Sequence, residues 1–451
     1  MADFIEWQQF EKTDLYIKDN ELFSKISISR DENYNIHFCV ECKELDKKTT
    51  RDFNDISSFY MSKLDNVTAY PNPFLGKEYF LKEFICEKFN YAPTGEFTIN
   101  GIVLKIESHY ISDSVGKPEF ENIWLLNSSN QANYDQNIIK TSSGNEHYQW
   151  GDFATEDIAL AEKHSASWAG IKLKYKSYDF LLIKSDRFTK FKSTCLRFEK
   201  EQFPTDEDLN EIVNILNFIF GLTFIYIGNT KYNCKSSPVS DCYISTFRKD
   251  IEQVLNESQF PVIPLRLNDF HCFGTNTTEL INLIFLKVSE NTAYSLIKNF
   301  AFINYARTQP FEVKIQPLAA TFDNICTQYF SNRENTIINK EIFSKLKNTI
   351  EQKIEEFDIS EELGLKISNL EKKALKARNS SVHGSLNSEK INDSILLTKC
   401  YYTLINRLLL RLLNIPLYID YTHPAGLPTK IEEAQYCWME NRKQNDGAIK
   451  Q

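Results

Sequence analysis

Hydrophobic and polar residues alternate along much of the first 200 residues of the chain. Residues 25–29 and 36–40 both show the two-residue period of half-buried strands, and a polar run separates them. Two further apolar runs flank Asn100-Gly101, a dipeptide typical of tight hairpin turns, and predict a hairpin over 97–106. Residues 1–200 are therefore expected to form a β-rich N-terminal domain, either an antiparallel sandwich or a barrel-like sheet.

The pattern loses its regularity in two places. Residues 126–157 hold few apolar side chains and are interpreted as loop. Near residue 204 the pattern changes, because Thr205 followed by Asp208 resembles a capping box and predicts the start of a helix. The prolines and mixed pattern of 229–276 are interpreted as an irregular connector. Residues 201–276 thus form a predicted connecting region that contains one long apolar helix.

From residue 277 onward, apolar residues recur at helical spacing almost to the end of the chain. The predicted helices cover residues 278–289, 293–307, 318–330, 341–357, 361–378 and 391–414. The last of them has a thick apolar face, which is typical of the central helix of a bundle or of a dimer seam. The chain is accordingly predicted to be an α+β multidomain protein whose residues 277–451 form an all-α C-terminal bundle.

Composition narrows the possible classes of protein. The chain has 451 residues, of which 42% are hydrophobic and 25% charged, and this argues against a disordered or low-complexity protein. A net charge of −9 excludes a surface that attracts nucleic acid everywhere. No signal peptide or membrane span is evident, so we expect a cytoplasmic protein without membrane contact. Its ten cysteines are expected to be free thiols.

One short cluster could bind a metal ion. His37, Cys39 and Cys42 offer three side chains of the types that bind zinc, but no fourth ligand is evident nearby. On a strand, the two cysteines would also point to opposite faces. A structural role is the favoured interpretation, with a metal-dependent regulator as the alternative, and the prediction includes neither a metal nor another cofactor.

Positive charge is concentrated near the C-terminal end. Between residues 372 and 411 there are eight basic and two acidic residues, which gives +6 and leaves −15 for the rest of a chain whose total is −9. A basic patch on an acidic body is typical of a local phosphate-binding site, although many charge runs are only solvated helix faces. Three lysines of this segment are the candidate RNA-binding residues: Lys372, Lys373 and Lys376.

Inside this basic segment lies the sequence Ala-Arg-Asn-Ser-Ser-Val-His-Gly, residues 377–384. Gly384 is a natural helix C-terminal residue, so His383 is expected near a helix end that favours its protonated form, whereas Arg378 opposes a second positive charge. The two effects oppose each other and could leave the imidazole able to exchange a proton at neutral pH. RNA cleavage without a metal needs such an acid and base together with a cation that binds the phosphate. Two copies of the motif across a two-fold axis would supply an acid and a base at once.

This motif resembles that of the HEPN superfamily, in which Arg, often followed by Asn, precedes His by four to six intervening residues. Arg378, Asn379 and His383 occupy those positions. The chain is similar to ApeA-type anti-phage proteins in two further respects. A Leu-rich helix follows the motif, and a β-rich region precedes it. The resemblance implies a dimeric all-α HEPN domain that acts as a metal-independent endoribonuclease, with His383 as general acid and base, Arg378 as phosphate ligand and Asn379 as an orienting hydrogen-bonding residue.

The same resemblance implies the partners. It implies RNA, especially tRNA, as the substrate, a homodimer formed by the C-terminal bundle, and a phage protein as a possible trigger at the N-terminal domain. Abortive infection would be the biological outcome. The competing interpretation is a non-catalytic HEPN-like module that binds RNA or protein and only dimerises, in which His383 and Gly384 are an ordinary helix-end arrangement.

Overall fold

The described residues fold into one antiparallel sheet and a set of helices. The computed structural model of the chain describes residues 10–17, 23–42, 64, 67–70, 77–91, 97–111, 116–127, 138–142, 145–150, 153–159, 165–185, 192–235, 237–256, 262, 277–291, 294–309, 313–334, 391–413 and 415. The coarse prediction of an α+β protein with a β-rich N-terminal region is confirmed.

Fifteen strands are present in the described residues, and every pairing between them is antiparallel. They are β1 (Phe10–Ile17), β2 (Phe23–Arg30), β3 (Ile36–Cys42), β4 (Val67–Tyr70), β5 (Lys77–Tyr91), β6 (Phe97–Tyr110), β7 (Phe120–Asn127), β8 (Ile138–Ser142), β9 (Asn145–Trp150), β10 (Phe153–Ala159), β11 (Ser165–Tyr175), β12 (Tyr178–Ser185), β13 (Lys192–Glu199), β14 (Ile225–Tyr232) and β15 (Pro238–Ile244). Their order in the sheet is β10-β9-β8-β11-β12-β13-β7-β14-β15-β6-β3-β2-β1-β4-β5.

Strand β6 closes part of this sheet into a ring. Along one edge β6 pairs with β5 over its whole length. Along the other edge residues 97–103 pair with β3, and residues 105–109 pair with β15. Strands β1 to β6 therefore form a closed six-stranded ring, while β7 to β15 continue from it as an open sheet. This closed ring agrees with the barrel-like alternative predicted for the N-terminal region.

The described helices of six or more residues follow the first thirteen strands. They are α1 (Asp206–Phe220), α2 (Ile251–Asn256), α3 (Thr277–Glu290), α4 (Leu296–Arg307), α5 (Ile315–Glu334) and α6 (Ile391–Leu412). The predicted helices 278–289, 293–307, 318–330 and 391–414 match α3 to α6. The other two, 341–357 and 361–378, lie outside the described residues.

The start of α1 confirms the capping prediction. The Thr205 hydroxyl accepts a hydrogen bond from the Asp208 backbone N–H at 3.1 Å, which satisfies one of the free amides of the first turn. The helix ends at Gly221, whose φ of 63° is accessible to glycine without strain. The chain then turns directly into β14.

Two hydrophobic cores lie on opposite faces of the open sheet. On β7, Ile123 and Leu125 belong to the core shared with the helices, which we call the helix-side core. The alternate residues Trp124 and Leu126 belong to the core inside and beside the ring, which we call the ring-side core. Every residue of β7 is buried, as expected for a strand covered on both faces.

Two expectations about irregular regions are wrong. The stretch 126–157 contains β8 and β9 and most of β10, which are paired by backbone hydrogen bonds at one end of the sheet. Backbone pairing requires no apolar side chains, so a polar composition did not exclude strands. The supposed connector contains the second half of β14 and all of β15, which lie between β7 and β6 in the middle of the sheet. The sheet therefore continues past residue 200, and the three-part division of the chain stays a prediction.

The predicted hairpin at Asn100-Gly101 is also wrong, because both residues lie inside the continuous strand β6. Gly101 has another function there. A Cβ atom at this position would lie 1.9 Å from the Ile85 carbonyl oxygen and 2.9 Å from Phe38 Cε1. The register between β5 and β6 shifts next to this contact, between Cys86 and Lys88. Glycine thus permits the close approach of a neighbouring backbone at an irregularity of the ring.

We expect Gly101→Ala to destabilise the protein by about 3 kcal/mol, because its methyl group would collide with a main-chain oxygen that cannot move alone. Asn100→Ala on the same strand is the control and should cost less than about 1 kcal/mol. Urea unfolding followed by circular dichroism measures both. Equal midpoints for the two variants would contradict the assigned function of Gly101.

Candidate functional site

The predicted catalytic and RNA-binding residues share one segment of the chain. Arg378, Asn379 and His383, together with the three lysines at positions 372, 373 and 376, fall within residues 335–390, outside the described residues. Their geometry therefore stays a prediction. The structure does describe the helix that follows them, and this helix limits where the motif can lie.

Helix α6 begins at Ile391, eight residues after His383. Since an extended chain spans at most about 3.6 Å per residue, the two Cα atoms are no more than about 29 Å apart. Helix α6 is therefore the nearest described element on the C-terminal side of the motif.

The middle of helix α6 is buried in the helix-side core. Its residues from Cys400 to Ile405 and from Leu408 to Leu410 are all buried, on every face of the helix. The ring of Tyr401 meets Phe322 of α5 edge-on, with centroids 6.0 Å apart. A helix that is covered all round by its own chain is a core element. The dimer-seam interpretation therefore does not apply to this part of α6.

The beginning of α6 is different. Among its described side chains, Ile395 and Lys399 are exposed, and Ile395 has 38% of its surface open to solvent. This is the end of α6 that is nearest to the motif along the chain.

Amide side chains fix the positions of the neighbouring helices. Asn324 on α5 donates to Asn299 Oδ1 on α4 at 2.8 Å, and Asn299 is completely buried. Asn304 on α4 donates to Asn214 Oδ1 on α1 at 3.0 Å. Because buried amides lose stability when they are unpaired, these contacts favour one register between α1, α4 and α5. The helix that leads out of the motif therefore packs on a well-defined support.

The possible metal site does not assemble in the described residues. His37 Nε2 lies 2.9 Å from Asp31 Oδ2, so this ring contacts a carboxylate at the turn between β2 and β3. Cys39 is partly buried, while the side chain of Cys42 lies outside the description. No group of three or more His, Cys, Asp or Glu side chains in the described part of the chain is placed to hold a metal ion.

Three arginines are buried in the described residues, and sequence reasoning missed all of them. Arg30 on β2 donates to the carbonyl oxygens of Ile227 at 2.9 Å and Ile244 at 3.0 Å. Its desolvation lowers the pKa of the guanidinium to about 10, so the group remains charged at neutral pH. Arg307 at the end of α4 donates to the carbonyl oxygens of Leu222 and Asn217.

The third, Arg197 on β13, lies over the ring of Phe120 at 3.8 Å and donates to Glu199. Its burial lowers the pKa of the guanidinium, while Glu199 acts in the opposite direction. The described contacts thus place a charged group beside an aromatic ring and a carboxylate. Periodicity reveals none of these positions, because an arginine on a strand resembles any other solvated residue.

Polar residues also gather on the outer face of the sheet beside the start of α1. Glu107 lies 2.7 Å from Lys82 Nζ and 3.2 Å from Lys105 Nζ. Burial alone would raise the pKa of Glu107, but the hydrogen bonds from the two lysines outweigh it and lower the pKa. Burial raises the pKa of the nearby Cys242 thiol to about 12, which leaves it protonated and a poor nucleophile. This cluster is a network of ion pairs without an activated nucleophile.

Comparison with known proteins gives no relative of this chain. No protein-family model, no curated protein and no solved structure matches it. No described helix combines the length and the apolar character needed to cross a membrane. Functional inference therefore depends on the motif and on the scaffold around it.

We expect Leu409→Ala on α6 to destabilise the protein by about 3 kcal/mol, since Leu409 is completely buried in the helix-side core. Ile395→Ala near the start of the same helix should cost less than about 1 kcal/mol, because its side chain is exposed. Thermal unfolding of both variants gives the comparison. A larger loss for Ile395→Ala would contradict the burial of the middle of α6 and the exposure of its start.

Proposed function

We propose that this protein is a metal-independent endoribonuclease of the HEPN type. The observation that carries the proposal is the sequence Arg378-Asn379-x-x-x-His383 immediately ahead of α6, a 22-residue helix that packs among the helices of its own chain. In this proposal, residues 277–451 form an all-α HEPN bundle, and the described helices α3 to α6 are part of it.

The residue types account for the chemistry. His383 accepts the proton of the ribose 2′-OH or donates one to the leaving 5′-oxygen, as an imidazole can at neutral pH. Arg378 binds the phosphate through two parallel hydrogen bonds and offsets the charge that develops on it. Asn379 orients these groups. The products are a 2′,3′-cyclic phosphate and a 5′-hydroxyl, and no step requires a metal ion.

The reaction needs an acid and a base at the same phosphate, and one copy of the motif contains one histidine. We propose that two chains meet as a homodimer and that each contributes Arg378 and His383 to a shared site. The exposed start of α6 at Ile395 and Lys399 is compatible with such an approach, because it leaves the buried core of the helix intact.

The proposed biological function is anti-phage defence by abortive infection, with tRNA as the RNA that is cut. The β-rich N-terminal region would act as the sensor of a phage protein and hold the nuclease at a low basal activity before infection. This division of labour is supported by the domain order, with strands before residue 200 and helices after residue 277. A non-catalytic module that binds RNA or protein is the alternative that the experiments below separate.

Incubation of the purified protein with total tRNA in EDTA tests the chemistry. We expect new ends that carry a 2′,3′-cyclic phosphate, and we expect His383→Ala and Arg378→Ala each to lower the cleavage rate at least about 100-fold. Ser381→Ala, which has no assigned function, is the matched control within the motif. Expression toxicity in cells provides a second measurement, because both active-site variants should relieve it. Equal toxicity of the wild type and both variants would rule out the nuclease.

Replacing Lys372, Lys373 and Lys376 together by alanine should weaken tRNA binding at low salt. If each lysine contacts one phosphate, the slope of log affinity against log salt should fall by about 2 to 3. Lys200→Ala combined with Lys287→Ala removes lysines from other elements and should leave the slope unchanged. Fluorescence anisotropy over a salt series measures it, and an unchanged slope in the triple variant would exclude these lysines from the RNA interface.

A further inference from the structure

The segment between α1 and the middle of β14, residues 222–227, lies between the two hydrophobic cores. Phe224 belongs to the helix-side core and Ile225 to the ring-side core, and the alternation continues with Tyr226 and Ile227. A short stretch of chain thus packs against the helices with one set of side chains and against the ring with the other.

A buried arginine from the ring holds one end of this segment. The pairing of β14 with β7 shifts between Tyr226 and Gly228, so the register skips Ile227. Arg30, on ring strand β2, donates to the Ile227 carbonyl oxygen at 2.9 Å. The guanidinium therefore satisfies a main-chain oxygen at a bulge in the sheet.

A second buried arginine, from the helices, holds the other end. Arg307 at the end of α4 donates to the Leu222 carbonyl oxygen at 2.5 Å and contacts the Asn217 carbonyl oxygen in the last turn of α1. The Asn217 side chain in turn accepts a hydrogen bond from the Phe224 backbone N–H at 2.6 Å. The positive charge of the Arg307 guanidinium also complements the partial negative charge at the C-terminus of α1.

We propose that residues 222–227 form a mechanical link that transmits a change in the ring to the helices. Arg30 and Arg307 are positioning residues of this link: each holds one end, and release of either end leaves the other less constrained. A protein partner or ligand that displaced β2 would draw Arg30 away from Ile227 and relax the bulge, which would then free the turn at Leu222.

Named contacts extend the link toward α6. Helix α4 contacts α5 through Asn299 and Asn324, and α5 contacts α6 through Phe322 and Tyr401. Helix α6 is the element that follows the proposed catalytic motif. The coupling between ring and helices stands independently of any enzymatic activity, whereas its use to control RNA cleavage rests on the proposed function.

A double-mutant cycle on the full-length chain tests the link. Arg30→Met and Arg307→Met are compared singly and together by urea unfolding. If the two ends are coupled, the second substitution should cost less once the first has been made. We therefore expect the folding equilibrium constant of the double variant to be at least about tenfold higher than the product of the two single effects predicts. The control pair is Arg197→Met with Arg307→Met, since Arg197 is also buried and contacts Glu199 and Phe120, which lie outside residues 222–227. For this control pair, the folding equilibrium constant of the double variant should agree within about twofold with the product of the two single effects.

Hydrogen exchange measured by mass spectrometry provides the second test, with Arg30→Lys as a milder variant that keeps the charge. We expect exchange to rise at least tenfold in peptides that cover residues 222–227 and α4 as well as in β2. A rise confined to the ring strands, or a multiplicative Arg30–Arg307 cycle, would overturn the proposal. Neither measurement uses RNA. A negative result here would therefore overturn the coupling and leave the nuclease proposal untouched, and a loss of the nuclease proposal would leave the coupling untouched.

Discussion

The central strands of the sheet are buried on both faces, and this constraint determines how the rest of the chain is arranged. Strand β7 carries Ile123 and Leu125 on the helix side and Trp124 and Leu126 on the ring side, so it contributes to both cores. Burial on both faces requires alternate residues to suit two different environments, and this leaves little freedom in register. The ring and the helices are for this reason parts of one packing arrangement.

The polar interior follows from the same arrangement. Where the ring departs from the open sheet, the main-chain oxygen of Ile227 lies at a register shift, and Arg30 donates to it and to the main-chain oxygen of Ile244. Lys77 and Asp241 form a buried ion pair at 3.2 Å between β5 and β15, a second tie across the same junction. Such groups contribute less net stability than an apolar core would, but removal of one partner is costly, so they favour a single arrangement.

Sequence reasoning predicted the elements whose signal is local. The apolar period of α6 and the Thr205 cap of α1 are contained within a few residues, and both predictions are confirmed. The predicted turn at Asn100-Gly101 is wrong, because Gly101 instead allows a close approach of the Ile85 backbone, which is remote in sequence. The arginine contacts were equally inaccessible, since Arg30 and Ile227 are 197 residues apart. The candidate site is visible in the sequence by its spacing, while its geometry depends on residues that the structure does not describe.

The proposed nuclease requires two copies of His383 at one phosphate. Wild-type chain and the His383→Ala variant, produced in equal amounts in the same cells, pair at random, so about one quarter of the dimers carry two intact motifs. A site shared by two chains predicts that tRNA cleavage per total chain falls to about one quarter of the wild-type level. A fall to about one half would show that each chain cleaves RNA with its own histidine and would contradict the shared site.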